Sequence, residues 1–169
     1  LKMEVIKKAL VIGGGISGMN AALGFAEEGY ETFLVEKKNE LGGFAKNIHA
    51  TLEGYDVQKY IQEKIKKINS NSIIKVFTNA KIKKVSGFVR NFQTTIVLGD
   101  DQEERNLDHG IVVVATGANE YHPKEYFYGE DDRVITQIEL EKRMKTIAIS
   151  ENINSIVMIQ CVGSRNEEH

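Results

Sequence analysis

The stretch that most constrains this chain is Ala9-Leu10-Val11-Ile12-Gly13-Gly14-Gly15-Ile16-Ser17-Gly18. Four apolar residues run into a glycine cluster, and Ile16, Met19, Ala22, Leu23 and Ala26 leave it with helical spacing. The pattern predicts a short buried strand over 9–12, a tight turn, and a helix. Gly13, Gly15 and Gly18 have the spacing G-x-G-x-x-G. In a dinucleotide-binding turn the first glycine permits the bend, the second admits a pyrophosphate to the backbone, and the third lets helix and strand pack closely. The helix start, Ile16 and Ser17 included, then offers free N–H groups and a positive dipole end to phosphates.

The context strengthens the motif. A second apolar run, Thr32-Phe33-Leu34-Val35, ends in Glu36, 18 residues after Gly18. An acid about 20 residues past the last glycine can accept hydrogen bonds from both hydroxyls of an adenosine ribose, and it disfavours a 2′-phosphate. The site is therefore expected to take FAD or NAD rather than NADP. The competing reading is a glycine-rich turn and a surface glutamate that bind nothing.

With 169 residues and a net charge of −2, the chain is long enough for one domain core and offers no bulk charge for nucleic acid or an anionic membrane. No apolar run approaches the length of a membrane span, and Leu1-Lys2-Met3-Glu4 has no signal-peptide core. Cys161 is the only cysteine, so no internal disulfide forms, and a reducing, cytoplasmic setting is expected.

Further along, Gly42-Gly43 follows the acid-ended strand, where a loop would return over the phosphates. Asp56 is a good N-cap for a helix carrying Val57, Tyr60, Ile61, Ile65 and Ile68, ended by Asn69 to Ser72. Ile73 to Thr78 reads as a buried third strand. Runs at Lys81–Val89, Phe92–Leu98 and Glu103–Leu107, with a turn at Gly99-Asp100-Asp101, predict a three-stranded antiparallel meander in place of a crossover helix. Ile111 to Ala118 is apolar throughout, so both its faces are expected to be covered, and small residues Ala115-Thr116-Gly117 leave room for a ligand across the strand ends. Asn119 to Asp132 reads as an exposed loop carrying Tyr121, His122, Tyr126, Phe127 and Tyr128, which either mark a partner or flavin edge or, as in most such loops, simply pack down. Val134-Ile135 is a short strand, Thr136 caps a helix through Met144 with Glu139 completing a capping box, and Ser155–Gln160 is a last strand leading to Cys161, read as a small core residue. The fold class is α/β, a Rossmann-like FAD/NAD(P)-binding fold with a meander crossover.

Taken together, the glycine fingerprint, Glu36, Leu41-Gly42-Gly43 and Ala115-Thr116-Gly117 resemble the flavoproteins with two dinucleotide-binding domains. Asn47–Gly54, Val85–Phe92 and Gln160–Arg165 narrow the likeness to the flavoprotein component of heterodisulfide reductase, its A polypeptide, and relatives of that component. The resemblance implies FAD as cofactor. It implies iron–sulfur clusters in parts beyond this chain, and other heterodisulfide reductase-type subunits, hydrogenase or ferredoxin as electron partners. It places Gly13, Gly14, Gly15, Ile16, Ser17 and Gly18 at the pyrophosphate, and Glu36 with Lys37 at the adenosine ribose. Gly42, Gly43 and Phe44 would line the phosphate and ribityl side, the backbone of Ala80, Lys81 and Ile82 would meet the adenine, and Ala115, Thr116 and Gly117 would close over the cofactor. No side chain is assigned to catalysis or metal binding, because electron transfer is the flavin's own work.

One cysteine cannot hold a cubane cluster, which takes four ligands. The chain is therefore expected to be a fragment, with an FAD-binding domain over 1–150 and the start of a following segment over 151–169. A non-redox Rossmann module binding NAD or another adenine nucleotide is the alternative. An independent NAD-dependent dehydrogenase is weaker, since no acid/base constellation is visible.

Overall fold

The computed structural model describes residues 5–99, 102–146 and 153–164. Its contacts divide the chain into two compact units, residues 1–46 with 50–117, and residues 47–49 with 118–169. Asp100-Asp101, Arg165 and the domain boundary expected at 150 lie outside the described residues.

In the first unit, β1 (Lys8–Ile12), β2 (Glu31–Val35), β3 (Ile74–Phe77) and β7 (Ile111–Val114) form a parallel sheet in the order β3-β2-β1-β7. Side chains alternate across it, as strand geometry requires. Val11 and Leu34 face helices α1 (Ile16–Glu27) and α2 (Val57–Ser70), joining a core with Met19, Ala22, Ile61 and Ile68. Leu10, Phe33 and Val35 face the opposite way, into a second core with Ile96 and Leu107. That second core lies under an antiparallel meander of β4 (Ala80–Phe88), β5 (Asn91–Leu98) and β6 (Glu103–His109). The meander thus covers the face that a crossover helix would otherwise cover. Asp56 caps α2 as expected, its Oδ1 accepting the Lys59 N–H at 2.9 Å.

At the end of β6, His109 is fully buried. Its Nδ1–H donates to the Ile111 carbonyl at 3.1 Å, which leaves Nε2 to accept the Thr94 hydroxyl at 2.8 Å. Burial holds the imidazole below its ordinary pKa, against the opposing pull of the Ile111 carbonyl and Asp108.

In the second unit, α3 (Gln137–Thr146) begins with the expected capping box. The Glu139 N–H donates to Thr136 Oγ1 at 3.2 Å, and the Thr136 N–H donates to Glu139 Oε2 at 2.7 Å. The His49 N–H donates to Glu141 Oε1 at 2.8 Å, which ties the 47–49 segment to this helix.

Five expectations need correction. β7 stops at Val114 and its ends are not covered: Ile111 is 47 % and Val114 70 % exposed. Among the described residues it lies at the sheet's edge with β1 as its one partner, and Val112 and Val113 alone of the strand reach the cores. Val134-Ile135 and Ser155–Gln160 are not strands, and Ile156 to Ile159 are exposed. A β-branched run becomes a strand only where another strand pairs with it, and neither segment has such a partner among the described residues. Cys161 is exposed in a turn, not a core residue, because the strand expected to bury it does not form. In the aromatic loop Tyr121, Tyr126 and Phe127 stand exposed, not packed down.

Candidate dinucleotide-binding site

The C-terminal ends of β1, β2 and β7 meet around the glycine turn, each glycine constrained for its own reason. A Cβ built on Gly13 would sit 2.2 Å from the Ala115 carbonyl oxygen, and its φ of +110° is a left-handed value that favours glycine. A Cβ on Gly18 would sit 1.8 Å from the Gly13 carbonyl oxygen. Helix, turn and β7 can approach only without those side chains. At Gly15 the situation is opposite. A Cβ there would meet nothing closer than the Gly43 Cα at 4.0 Å, so protein packing does not explain the missing side chain. The open space lies at the N-terminus of α1, where Gly15 is the cap residue, no side chain caps the helix, and no acid occupies the first turn. A helix start without a side-chain cap, with its positive dipole end, thus faces a space that a side chain would fill, which fits a bound pyrophosphate.

Glu36 follows β2 directly. It is 6 % exposed, and so is not the surface glutamate of the competing reading. Its Oε2 accepts the Gly14 N–H at 2.6 Å and its Oε1 the Lys38 N–H at 2.8 Å. A carboxylate has about four acceptor positions, so two remain for ribose hydroxyls. The backbone of Glu36 is tied as well: its N–H donates to Phe77 O at 2.8 Å and its carbonyl accepts from Ala80 N at 3.0 Å.

The segment after β2 returns over the turn. The Gly42 N–H donates to the Gly14 carbonyl at 2.8 Å, and Gly15 and Gly42 pair as a parallel bridge. A Cβ on Gly43 would lie 2.8 Å from the Gly15 Cα. Leu41 is buried against Gly14, and Phe44 beyond the glycine pair is exposed.

Comparison with known proteins decides the family. The pyridine nucleotide-disulphide oxidoreductase model matches residues 7–159. The chain belongs to that family. It is 26 % identical to the A polypeptide of the H(2):CoB-CoM heterodisulfide,ferredoxin reductase of Methanothermobacter marburgensis over 255 residues, covering 99 % of this chain and 39 % of that protein. It is 34 % identical over 110 residues to the iron-sulfur A polypeptide of the CoB–CoM heterodisulfide reductase of Methanocaldococcus jannaschii, covering 64 % of this chain and 16 % of that protein. The chain thus spans about two fifths or less of the length of these relatives. Among solved structures it is similar to the L-proline dehydrogenase of P. horikoshii, with a TM-score of 0.57 and 28 % identity over 67 % of this chain and 23 % of that one. No helix among the described residues is long and apolar enough to cross a membrane.

Within this member of the family, the expected site residues fall into two groups. Gly13 to Gly18, Glu36, Gly42, Gly43 and the Ala115–Thr116 backbone are brought together around the turn. Thr116 and Gly117 are exposed beyond the end of β7. Lys37 is exposed, and Ala80 is buried with its N–H already donated to Glu36. Lys81 and Ile82 pair with Val97 and Ile96 of the meander, which places them on the β4 side of Glu36. Lys38 was not expected: its backbone N–H holds the second oxygen of Glu36. Nothing in the identity of a lysine signals a backbone contact.

Proposed function

We propose that this chain is the FAD-binding part of an electron-transferring oxidoreductase component of the heterodisulfide reductase A type. The observation that carries the reading is the open position at Gly15, over an uncapped helix start, with the Glu36 carboxylate beside it. Gly15, Ile16 and Ser17 would hold the pyrophosphate through backbone N–H groups, and Glu36 would take the adenosine ribose on its two remaining acceptor positions. Gly42, Gly43 and Phe44 would border the ribityl side, and Ala80 to Ile82 the adenine. Thr116 and Gly117 would lie over the cofactor. Bound FAD would supply the electron-transfer chemistry itself. Iron–sulfur clusters belong to other parts of the whole protein in this proposal, and other heterodisulfide reductase-type subunits, hydrogenase or ferredoxin are its electron partners. A cytoplasmic location is part of the same proposal, with an FAD-binding domain reaching to about residue 150.

The test is to titrate the purified chain with FAD and follow the flavin bands near ~370 and ~450 nm, which belong to the cofactor and report its surroundings. Saturable binding supports the proposal. Binding of NAD with no binding of FAD overturns it in favour of a non-redox adenine-nucleotide module. The loaded chain is then offered NADH, NADPH, reduced ferredoxin and a disulfide in turn. No fast, saturable disulfide reduction is expected from this part alone.

A further inference from the structure

Three hydrogen bonds hold the glycine turn from beneath, all from β2 or the segment after it. The Gly13 N–H donates to Val35 O at 2.8 Å, the Gly14 N–H to Glu36 Oε2 at 2.6 Å, and the Gly14 carbonyl accepts the Gly42 N–H at 2.8 Å. Gly14 is thus pinned at both its polar groups, and only the bond from Glu36 depends on a side chain. Its N–H aims at the carboxylate, which leaves the N–H groups from Gly15 onward to meet phosphate. The other oxygen of Glu36 is anchored on the Lys38 N–H at 2.8 Å, so the carboxylate has a fixed position from which to hold Gly14. A ribose-binding glutamate needs neither bond.

We propose that Glu36 is a positioning residue for the phosphate-binding turn, in addition to any contact with ribose hydroxyls. This rests on the dinucleotide reading of the site. One carboxylate then sets the geometry of the pyrophosphate subsite and carries the acceptor positions of the ribose subsite. Loss of the carboxylate weakens ligands that have phosphates but no ribose hydroxyls. A residue acting only through the hydroxyls leaves such ligands untouched.

The test compares ADP with 2′,3′-dideoxy-ADP on the wild-type chain and on Glu36→Gln. Glutamine keeps the shape but has one acceptor oxygen in place of two, so either Gly14 or Lys38 faces an NH2 group. Affinity for 2′,3′-dideoxy-ADP, which reports the turn alone, is expected to fall by about tenfold or more, and affinity for ADP by at least as much, because ADP also loses its hydroxyl contact. Hydrogen exchange of the ligand-free chain is expected to quicken at the Gly14 or Lys38 amide. Glu36→Asp keeps the charge and both oxygens but ends one carbon short of Gly14, and it must show the same loss of dideoxy-ADP affinity should the glutamine variant not fold. Ile96→Val, in the meander core, controls for general loosening and is expected to leave both affinities within about twofold. A Glu36 variant that weakens ADP while dideoxy-ADP binds as well as before, or better, overturns this inference and leaves the proposed function standing. A wild-type chain that binds neither ligand removes the proposed function, and this inference with it.

Discussion

β2 carries a glutamate at each end, and the two do different things. Glu31, at its start, sits between two lysines: Lys8 Nζ lies 2.9 Å from Oε2 and Lys75 Nζ 2.6 Å from Oε1. Both ammonium groups also lie over the Phe33 ring, at 5.7 and 5.8 Å from its centre. Glu36, just past the other end, is held instead by backbone N–H groups of the glycine turn and of Lys38. The first arrangement is three flexible side chains near solvent, which adjust when one is lost. The second is a buried carboxylate against backbone amides that are fixed in place and cannot follow a lost partner. A charge that ties side chains across a sheet edge is a modest aid to stability, whereas a charge that ties backbone at a strand's C-terminal end shapes a site.

The largest expected effect isolates the site end from the fold. Gly15→Val should raise the FAD dissociation constant by about a hundredfold or more, since a side chain would fill the pyrophosphate's place. It should leave the ligand-free melting temperature almost unchanged, because a Cβ at Gly15 has open space. Gly18→Val is the contrasting variant. Its Cβ falls 1.8 Å from the Gly13 carbonyl oxygen, so it should cost about 3 kcal/mol of stability. Equilibrium urea unfolding and flavin titration of the two variants separate the roles. Equal stability losses would show that Gly15 is a packing glycine too.

Next in size is Glu36→Ala. Removing the acceptor from a buried N–H costs about 1–3 kcal/mol, and two N–H groups are left here. We expect about 3 kcal/mol less stability without ligand and weaker FAD binding. A variant as stable as wild type would mean that water replaces the carboxylate freely, and the contrast between the two glutamates would fail.

How much of this was legible beforehand follows from how local each feature is. The glycine turn, the Asp56 cap and the Thr136/Glu139 capping box are set by residues within a few positions of each other, so spacing alone places them. The meander was readable from alternation and turn residues. The coverage of β7 was not, because it depends on where the sheet ends, and sheet order is a long-range property. Ser155–Gln160 has the composition of a strand, yet pairing is decided by a partner elsewhere in the chain. Glu36 shows the limit most clearly. Its position after an apolar strand predicts a nearby nucleotide, but its burial depends on the return of the 41–43 segment and on the Gly14 amide, 22 residues away in sequence. A residue pattern does not display which backbone amide a side chain will meet.

The smallest effect belongs to the other end of the strand. Exposed ion pairs contribute about 0–1 kcal/mol and are screened by salt. Glu31→Gln should therefore lower stability by about 0.5 kcal/mol at low ionic strength, with the difference from wild type vanishing in about 1 M salt. Lys75 and then Lys8 hold the Glu31 carboxyl below its ordinary pKa of 4.5. A lowered folded-state pKa means stability that is present above the unfolded value and lost as pH falls through the folded one. The wild-type advantage over Glu31→Gln should accordingly be constant above pH 4.5 and disappear below it. His109 acts in a separate window. Its folded-state pKa is lowered from 6.5, so its contribution is complete above pH 6.5 and declines as the pH falls below that value, in wild type and Glu31→Gln alike. Stability measured against pH for the two proteins should show parallel declines beginning below pH 6.5, then convergence below pH 4.5. A Glu31 difference that persists in concentrated salt would show that the lysine cluster holds β1, β2 and β3 together by more than exposed charge, and the two ends of β2 would then be more alike than their contacts indicate.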